Sequence, residues 1–129
     1  MNLWNRLLKC AEKVGIDDDL IYVAFRGDLV ASQSLIEKLK SLSSTERWRE
    51  ALIDRFIDNI NYDDTERASV LLELLVDFPS DYVRSGAFYN LGVFLGDKRA
   101  LTYFQKLSEH ADGLTAFNAR LAIKKLTSN

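Results

Sequence analysis

Few residues of this chain have the type and spacing that chemistry requires. The run Asp17–Asp19 could bind a divalent cation, but a calcium loop needs carboxylates at alternate positions and a central glycine, and apolar residues follow this run directly. We interpret the run as a cap that stabilises the next helix. His110 is the single histidine, so it has no second histidine with which to bind a metal ion. Cys10 lies on an apolar helical stripe and is interpreted as a packing residue.

The sequence also lacks the short motifs that position a nucleophile or a phosphate group. It contains no GxxxxGK[ST], GxGxxG or GxSxG pattern, and its serines and threonines are scattered over predicted helix caps. We therefore predict that the protein is not an enzyme and has no catalytic residue, cofactor or metal site.

The most regular charged pattern is acidic. Four carboxylates recur at every fourth position of one predicted helix, and we call them the acidic ridge: Glu46, Glu50, Asp54 and Asp58. Three more lie roughly on one side of the next predicted helix: Glu66, Glu73 and Asp77. Like charges at this spacing repel, and Arg47, Arg49 and Arg55 can offset part of that repulsion. The ridge is either a solvated face or a docking surface for a cationic protein partner.

Three tyrosines are the other candidates for contact with a partner. Tyr82 and Tyr89 lie seven residues apart, and Tyr103 lies off the apolar stripe of its predicted helix. Aromatic residues at helical spacing usually belong to the core, but tyrosines on the rim of a helical stack also serve as interface anchors. Both interpretations stay open for these residues.

The charges are unevenly distributed along the 129 residues, whose net charge is −2. Residues 44–81 carry ten acidic and four basic side chains, whereas residues 82–129 carry seven basic and three acidic ones. A negative middle argues against nucleic acid as the main partner, because phosphate contacts need clustered cations. It is compatible with a basic protein partner.

Composition points to an ordinary globular protein in a reducing compartment. Hydrophobic residues make up 47% and charged residues 28% of the chain, and a single cysteine cannot form an intrachain disulfide. No apolar run approaches the length of a membrane span, and the first residues lack the apolar stretch of a signal peptide. We expect a cytoplasmic protein that does not enter a membrane.

The elements that must position these residues are helices. Apolar residues recur at helical spacing almost throughout, with glycines mainly at predicted helix ends, so we predict an all-α fold of about seven or eight helices. The predicted segments are approximately 2–14, 17–25, 29–42, 43–60, 68–78, 81–95, 98–107 and 114–126. Ser43 with Glu46, and Asp63 with Glu66, have the spacing of capping boxes. Short linkers predict that successive helices fold back as hairpins.

The later helices also repeat. Ala87, Leu91 and Phe94 align with Ala119, Ile123 and Leu126 at an offset of 32 residues, a period typical of helical solenoids. The stretch DYVRSGAFYNLGVFLGDKRALTYFQKL resembles a HEAT-type repeat. The matching positions are Asp81, Val83, Arg84, Ala87, Leu91, Gly92, Gly96, Asp97, Arg99, Ala100 and Leu101. The match is good over this repeat, weaker over 44–77, partial over 113–126, and absent from the first 43 residues.

The resemblance implies a short α-solenoid of antiparallel helix hairpins. We predict one helical domain over residues 1–129, with N-terminal helices in 1–43 and HEAT-like repeats in 44–129. In such repeats the Val-Arg arginine makes polar contacts between neighbours, so Arg84 is expected to be covered and paired with a carboxylate or with helix-end carbonyls of an adjacent hairpin. Gly86 and Gly92 weaken their own helix, a cost offset if a neighbouring helix approaches closely there.

These expectations favour a protein-binding function. Small, acidic, stand-alone helical proteins resemble bacterial immunity proteins, which bind and sterically block a toxin domain, often a basic nuclease. Two alternatives share the fold: an adaptor or assembly protein, and a HEAT-like accessory to a biosynthetic enzyme. The choice of an immunity protein rests on analogy of fold and composition.

Overall fold

The computed structural model describes residues 2–43, 45–110 and 112–128. These residues form eight α-helices and no β-strand, which confirms the predicted all-α fold. The helices are α1 (Leu3–Lys13), α2 (Asp18–Phe25), α3 (Leu29–Lys40), α4 (Trp48–Asp58), α5 (Thr65–Glu73), α6 (Asp81–Leu95), α7 (Arg99–Leu107) and α8 (Gly113–Thr127).

Side-chain caps and glycines set most of the helix ends. Asp17 accepts a hydrogen bond from the Asp19 amide at 3.0 Å, so the start of the Asp17–Asp19 run caps α2 as predicted. Ser80 caps α6 in the same way, through the Val83 amide. At the other end of α6, Gly96 adopts a left-handed conformation with a φ of 67°, which residues with a Cβ rarely adopt.

Neither predicted capping box is present at its predicted position. The α4 helix begins at Trp48, because the Ser43 hydroxyl accepts from the nearby Thr45 amide and the Glu46 carboxylate accepts from the Trp48 indole at 2.7 Å. Both side chains are thereby engaged in local contacts. The α5 helix begins at Thr65, where Asp64, the residue after the predicted cap, accepts from the Arg67 amide.

The helices form a short stack of pairs. Neighbouring helices pack against each other from α1 to α3 and from α5 to α8. Helices two apart also pack, namely α3 on α5, α4 on α6 and α6 on α8, and α1 packs on α4. Contacts between helices two apart are typical of a solenoid, in which each pair covers the previous one.

The main core extends from Leu7 of α1 to Leu91 of α6. A smaller cluster lies between α7 and α8 around Phe104, Ala119 and Ala122. Of the three pairs aligned at an offset of 32 residues, only Ala87 and Ala119 are both buried, whereas Leu91 is buried and Ile123 half-buried, and Phe94 is exposed and Leu126 half-buried. The small residues on the inner side of α8 allow it to approach its neighbours closely.

Of the two glycines inside α6, only Gly92 lies at a close helix approach. A Cβ built on Gly92 would lie 2.7 Å from the Cβ of Ala100 in α7. A Cβ on Gly86 would lie 3.6 Å from Ile57 Cδ1, an ordinary contact distance. The expectation that both glycines permit close approach is therefore wrong for Gly86.

Arg84 is covered, but its contacts are local. Its side chain is 30% exposed, and its guanidinium binds the Asp81 carboxylate of the same helix. It also donates to the Phe78 carbonyl, in the connection before α6, at 2.6 Å. The carboxylate partner therefore lies in the same helix and not in an adjacent hairpin, whereas the Phe78 carbonyl is the last one of the segment 68–78 that was predicted as the preceding helix.

Candidate protein-binding surface

The acidic ridge lies mainly on α4. Glu50, Asp54 and Asp58 occupy successive turns of this helix, whereas Glu46 precedes its first residue. Glu50 and Asp54 are half-buried and Asp58 is exposed. None of the three forms an ion pair with a described residue, although Arg55 of the same helix lines a depression together with Asp58.

Two carboxylates of the acidic ridge accept hydrogen bonds from the start of α6. The Tyr82 hydroxyl donates to Asp54 Oδ2 at 2.6 Å, and the Ser80 hydroxyl donates to Glu50 Oε1 at 3.0 Å. Both donors are neutral, so the hydrogen bonds orient the carboxylates without cancelling their charge. The acidic ridge is therefore a partly structural surface that retains its negative potential.

Asp54 and Tyr82 both have raised pKa values, Asp54 mainly because of burial and Tyr82 mainly because of its hydrogen bond to Asp54. Burial raises the pKa of the Asp54 carboxyl above its ordinary value, and the charges of Asp58 and Glu50 raise it further, against the opposing hydrogen bond from Tyr82. The hydrogen bond to Asp54 is the main reason that the pKa of Tyr82 rises to about 12. A cation placed beside Asp54 would favour the ionised form of this carboxyl.

The second acidic set lies on a different side of the stack. Glu73 binds the guanidinium of Arg99 in α7, with distances of 2.9 and 2.6 Å. Asp77 binds Lys40 of α3 at 2.7 Å. Glu66 is exposed on α5. The structure therefore does not bring Glu66, Glu73 and Asp77 together with the acidic ridge. Glu73 joins the end of α5 to α7, and Asp77 joins the connection after α5 to α3.

These ion pairs predict a loss of stability in acid that depends on Arg99. Hydrogen bonds from Arg99 lower the pKa of both Glu73 and Asp97 in the folded state. Such carboxylates stabilise the fold above their unfolded-state pKa values, and that stability is lost as the pH falls through their folded-state values. Since the groups are substantially exposed, we expect Arg99→Gln to reduce the loss between about pH 6 and pH 3 by about 0.5 kcal/mol.

Urea unfolding at several pH values measures this effect. Lys106→Gln provides the control, because Lys106 lies exposed on the same helix and forms no ion pair with a described residue. It should leave the dependence on pH unchanged. Equal pH dependence in the wild type and the Arg99 variant would contradict the assignment.

The predicted tyrosines lie in different environments. Tyr82 and Tyr89 line one groove, and Tyr82 is largely exposed. Tyr103 is half-buried, stacks on Phe88 with ring centroids 4.4 Å apart, and has its hydroxyl 3.2 Å from Ser85 Oγ. Tyr103 thus packs between α6 and α7, Tyr89 is half-buried against the smaller core cluster, and only Tyr82 of the three is largely exposed.

The groove that Tyr82 and Tyr89 line has a volume of about 570 Å³. Its lining includes Asp54 of α4, Leu107 of α7, and Asn118 and Leu121 of α8. One side is therefore acidic and the rest largely apolar. This combination fits a basic side chain flanked by an apolar one better than a small polar ligand.

Sequence reasoning missed the role of Arg49. Its side chain is buried, with the residue only 2% exposed, so it does not offset the charge of the acidic ridge as expected. It donates to the carbonyls of Leu39 and Leu42 at 3.2 and 2.8 Å and approaches that of Pro79 at 3.5 Å. Its burial could have been inferred from helical spacing, because Arg49 lies three residues before Leu52 and four before Ile53, which are both buried.

Cys10 and His110, the remaining candidates for chemistry, lie on different elements of the structure. Cys10 is half-buried on α1, and the His110 ring accepts from the Asp112 amide in the turn before α8. Within residues 2–43, 45–110 and 112–128, no three metal-ligating side chains cluster. None of the helices described is both long enough and apolar enough to span a membrane.

No protein-family model, curated protein or solved structure matches this chain significantly. The HEAT resemblance therefore rests on the motif in residues 81–101 and on nothing beyond this chain. Function has to be argued from the surfaces of the molecule itself.

Proposed function

We propose that this protein is a cytoplasmic protein-binding module that captures a basic protein domain. The acidic ridge attracts the partner, and the groove beside it takes a basic side chain with an apolar neighbour. The observation that carries the proposal is that Glu50, Asp54 and Asp58 form no ion pair with a described residue and lie beside a groove lined by Tyr82. Charge gives fast association, and the buried aromatic and apolar contacts slow dissociation.

The form of this function that we favour is an immunity protein that sterically blocks a basic toxin domain such as a nuclease. A small acidic helical stack and an exposed acidic surface support it, as does the HEAT resemblance. The alternatives are an adaptor or assembly protein, and an accessory to a biosynthetic enzyme. They differ in what the bound partner does: a toxin loses its activity at one equivalent of this protein, whereas the partner of an adaptor keeps its own.

The test begins with the partner captured from the native host and continues with binding kinetics. Asp58→Lys is the informative variant, because Asp58 is exposed and accepts no described side-chain hydrogen bond, unlike Glu50 and Asp54. We expect its association rate to fall at least about fivefold at low salt, and the salt dependence of that rate to weaken.

Glu12→Lys makes the same charge change on the exposed side of α1 and serves as the matched control. Measured at about 0.1 M salt, where the Debye length is about 10 Å, it should change the association rate less than about twofold and less than Asp58→Lys does under the same conditions. Equal effects of the two variants would show that net charge, and not the acidic ridge, attracts the partner. An activity assay of the captured partner with increasing amounts of this protein then separates inhibitor from adaptor.

A further inference from the structure

The outer side of α8 carries an apolar stripe that no described helix covers. Leu114, Phe117 and Leu121 recur at intervals of three and four residues and are 68%, 52% and 51% exposed. The opposite side of the same helix packs against α6 and α7 through small buried residues, among them Ala116 and Ala119. The α8 helix is therefore apolar on two sides, and one of them lacks a partner.

Charge divides this stripe into two ends of opposite sign. Glu109 and Asp112 are exposed at its N-terminal end. Arg120, Lys124 and Lys125 are exposed towards its C-terminal end, and none of these cations pairs with a described residue. The stripe thus has an acidic end, an apolar centre and a basic end. Two copies of it in antiparallel orientation would place each acidic end opposite a basic end.

We propose that this face binds a second copy of the chain, with the two α8 helices antiparallel about a two-fold axis. The axis passes midway between Phe117 and Leu121, so that each Phe117 contacts the other copy's Leu121. Leu114 then lies opposite Lys124, whose aliphatic stem covers it. The basic end of each helix faces the acidic end of the other.

The antiparallel direction follows from these charges. A parallel pair would bring Lys124 and Lys125 of one copy against the same residues of the other, and would align the two helix dipoles. A two-fold contact is also closed, so it produces a dimer and not an open chain of molecules. Since a single helix pair forms a small interface, we expect a weak dimer with a dissociation constant on the order of 10–100 μM.

Sedimentation equilibrium of the full chain tests the dimer. Phe117→Asp is the main variant, because Phe117 is exposed and does not line the groove next to α4. Its dissociation constant should rise at least about tenfold. Val30→Asp places the same charge on an exposed valine of α3 and should leave the constant unchanged. A wild-type chain that stays monomeric at several hundred micromolar, or equal effects of the two variants, would overturn the proposal.

Disulfide trapping tests the direction of the helices. In a Cys10→Ser background, an oxidised mixture of the Leu114→Cys and Lys124→Cys variants should form a cross-linked heterodimer. Leu114→Cys alone should not cross-link, because its two copies lie about 15 Å apart along an antiparallel pair. Efficient self-cross-linking of Leu114→Cys would overturn the antiparallel arrangement. The acidic ridge takes no part in this contact, but Leu121 also lines the groove proposed for the partner, so dimer and partner would share that residue. Since Phe117 does not line the groove, loss of the dimer in Phe117→Asp tests the dimer separately from the proposed partner.

Discussion

Replacing Arg49 by methionine is expected to lower the free energy of unfolding by about 2–4 kcal/mol, because buried carbonyl groups would lose their donor. Arg49 Nη1 is hydrogen-bonded to the carbonyls of Leu39 and Leu42, at the end of α3. Its guanidinium carbon also lies 5.1 Å from the centre of the Phe78 ring. Methionine preserves much of the volume, so the loss would report mainly on the hydrogen bonds.

Substitution also removes the cost of burying the charged guanidinium, which opposes the loss of stability. A buried ion is costly, and replacing a buried ion pair by apolar residues is often neutral. Here the acceptors are backbone carbonyls that stay in place, so substitution cannot remove both partners together. The unsatisfied carbonyls therefore outweigh the relieved desolvation of the guanidinium, and the net effect is destabilising.

Urea unfolding measures the free energy of unfolding of the Arg49→Met variant, with Arg47→Met as the control. Arg47 is exposed and forms no described side-chain hydrogen bond, so its variant should lie within about 0.5 kcal/mol of the wild type. Arg49→Ala should lose about 1 kcal/mol more than Arg49→Met, since it also leaves a cavity. An Arg49→Met variant as stable as the wild type would mean that the carbonyls find other donors.

Arg49 also shows what a single sequence can and cannot predict. Its place on the apolar side of α4 follows from helical periodicity. Its acceptors do not, because Leu39, Leu42 and Pro79 meet only when α3, α4 and the connection before α6 are packed together. The HEAT motif instead predicted that Arg84 makes the polar contacts between repeats, but the described hydrogen bonds of Arg84 are local.

In the candidate surface, too, one feature was predictable from the sequence and another was not. The spacing of Glu50, Asp54 and Asp58 predicted an acidic ridge, and these carboxylates do lie on successive turns of one helix. The groove beside it was not predictable, since its walls come from four helices and include Asp54 and Leu121. Periodicity determines which side of each helix is apolar, but it does not determine how neighbouring helices are rotated against each other.

The substitution Gly92→Ala is expected to destabilise the protein by about 1–2 kcal/mol, although alanine is the better helix former. In a helix interior alanine gains up to about 1 kcal/mol over glycine. Against this, an added Cβ would lie 2.5 Å from Leu126 Cδ2 and 2.7 Å from Ala100 Cβ. The Leu126 side chain can rotate away, but the Ala100 Cβ is fixed to the backbone of α7. Overpacking therefore outweighs the gain in helix propensity, and the net change in the free energy of unfolding is a loss. Gly92→Val should cost more, about 3 kcal/mol or above.

The other glycine in α6 supplies the matched control for this prediction. Gly86→Ala introduces the same methyl group where the nearest atom would be 3.6 Å away, so it should be neutral or stabilising by up to about 1 kcal/mol. A double-mutant cycle of Gly92→Ala with Ala100→Gly then isolates the contact between α6 and α7. Because Ala100→Gly removes the methyl group that cannot move, the pair should show a favourable coupling of about 1 kcal/mol in urea unfolding. If the coupling is zero while Gly92→Ala still destabilises, the close contact with α7 is not the cause.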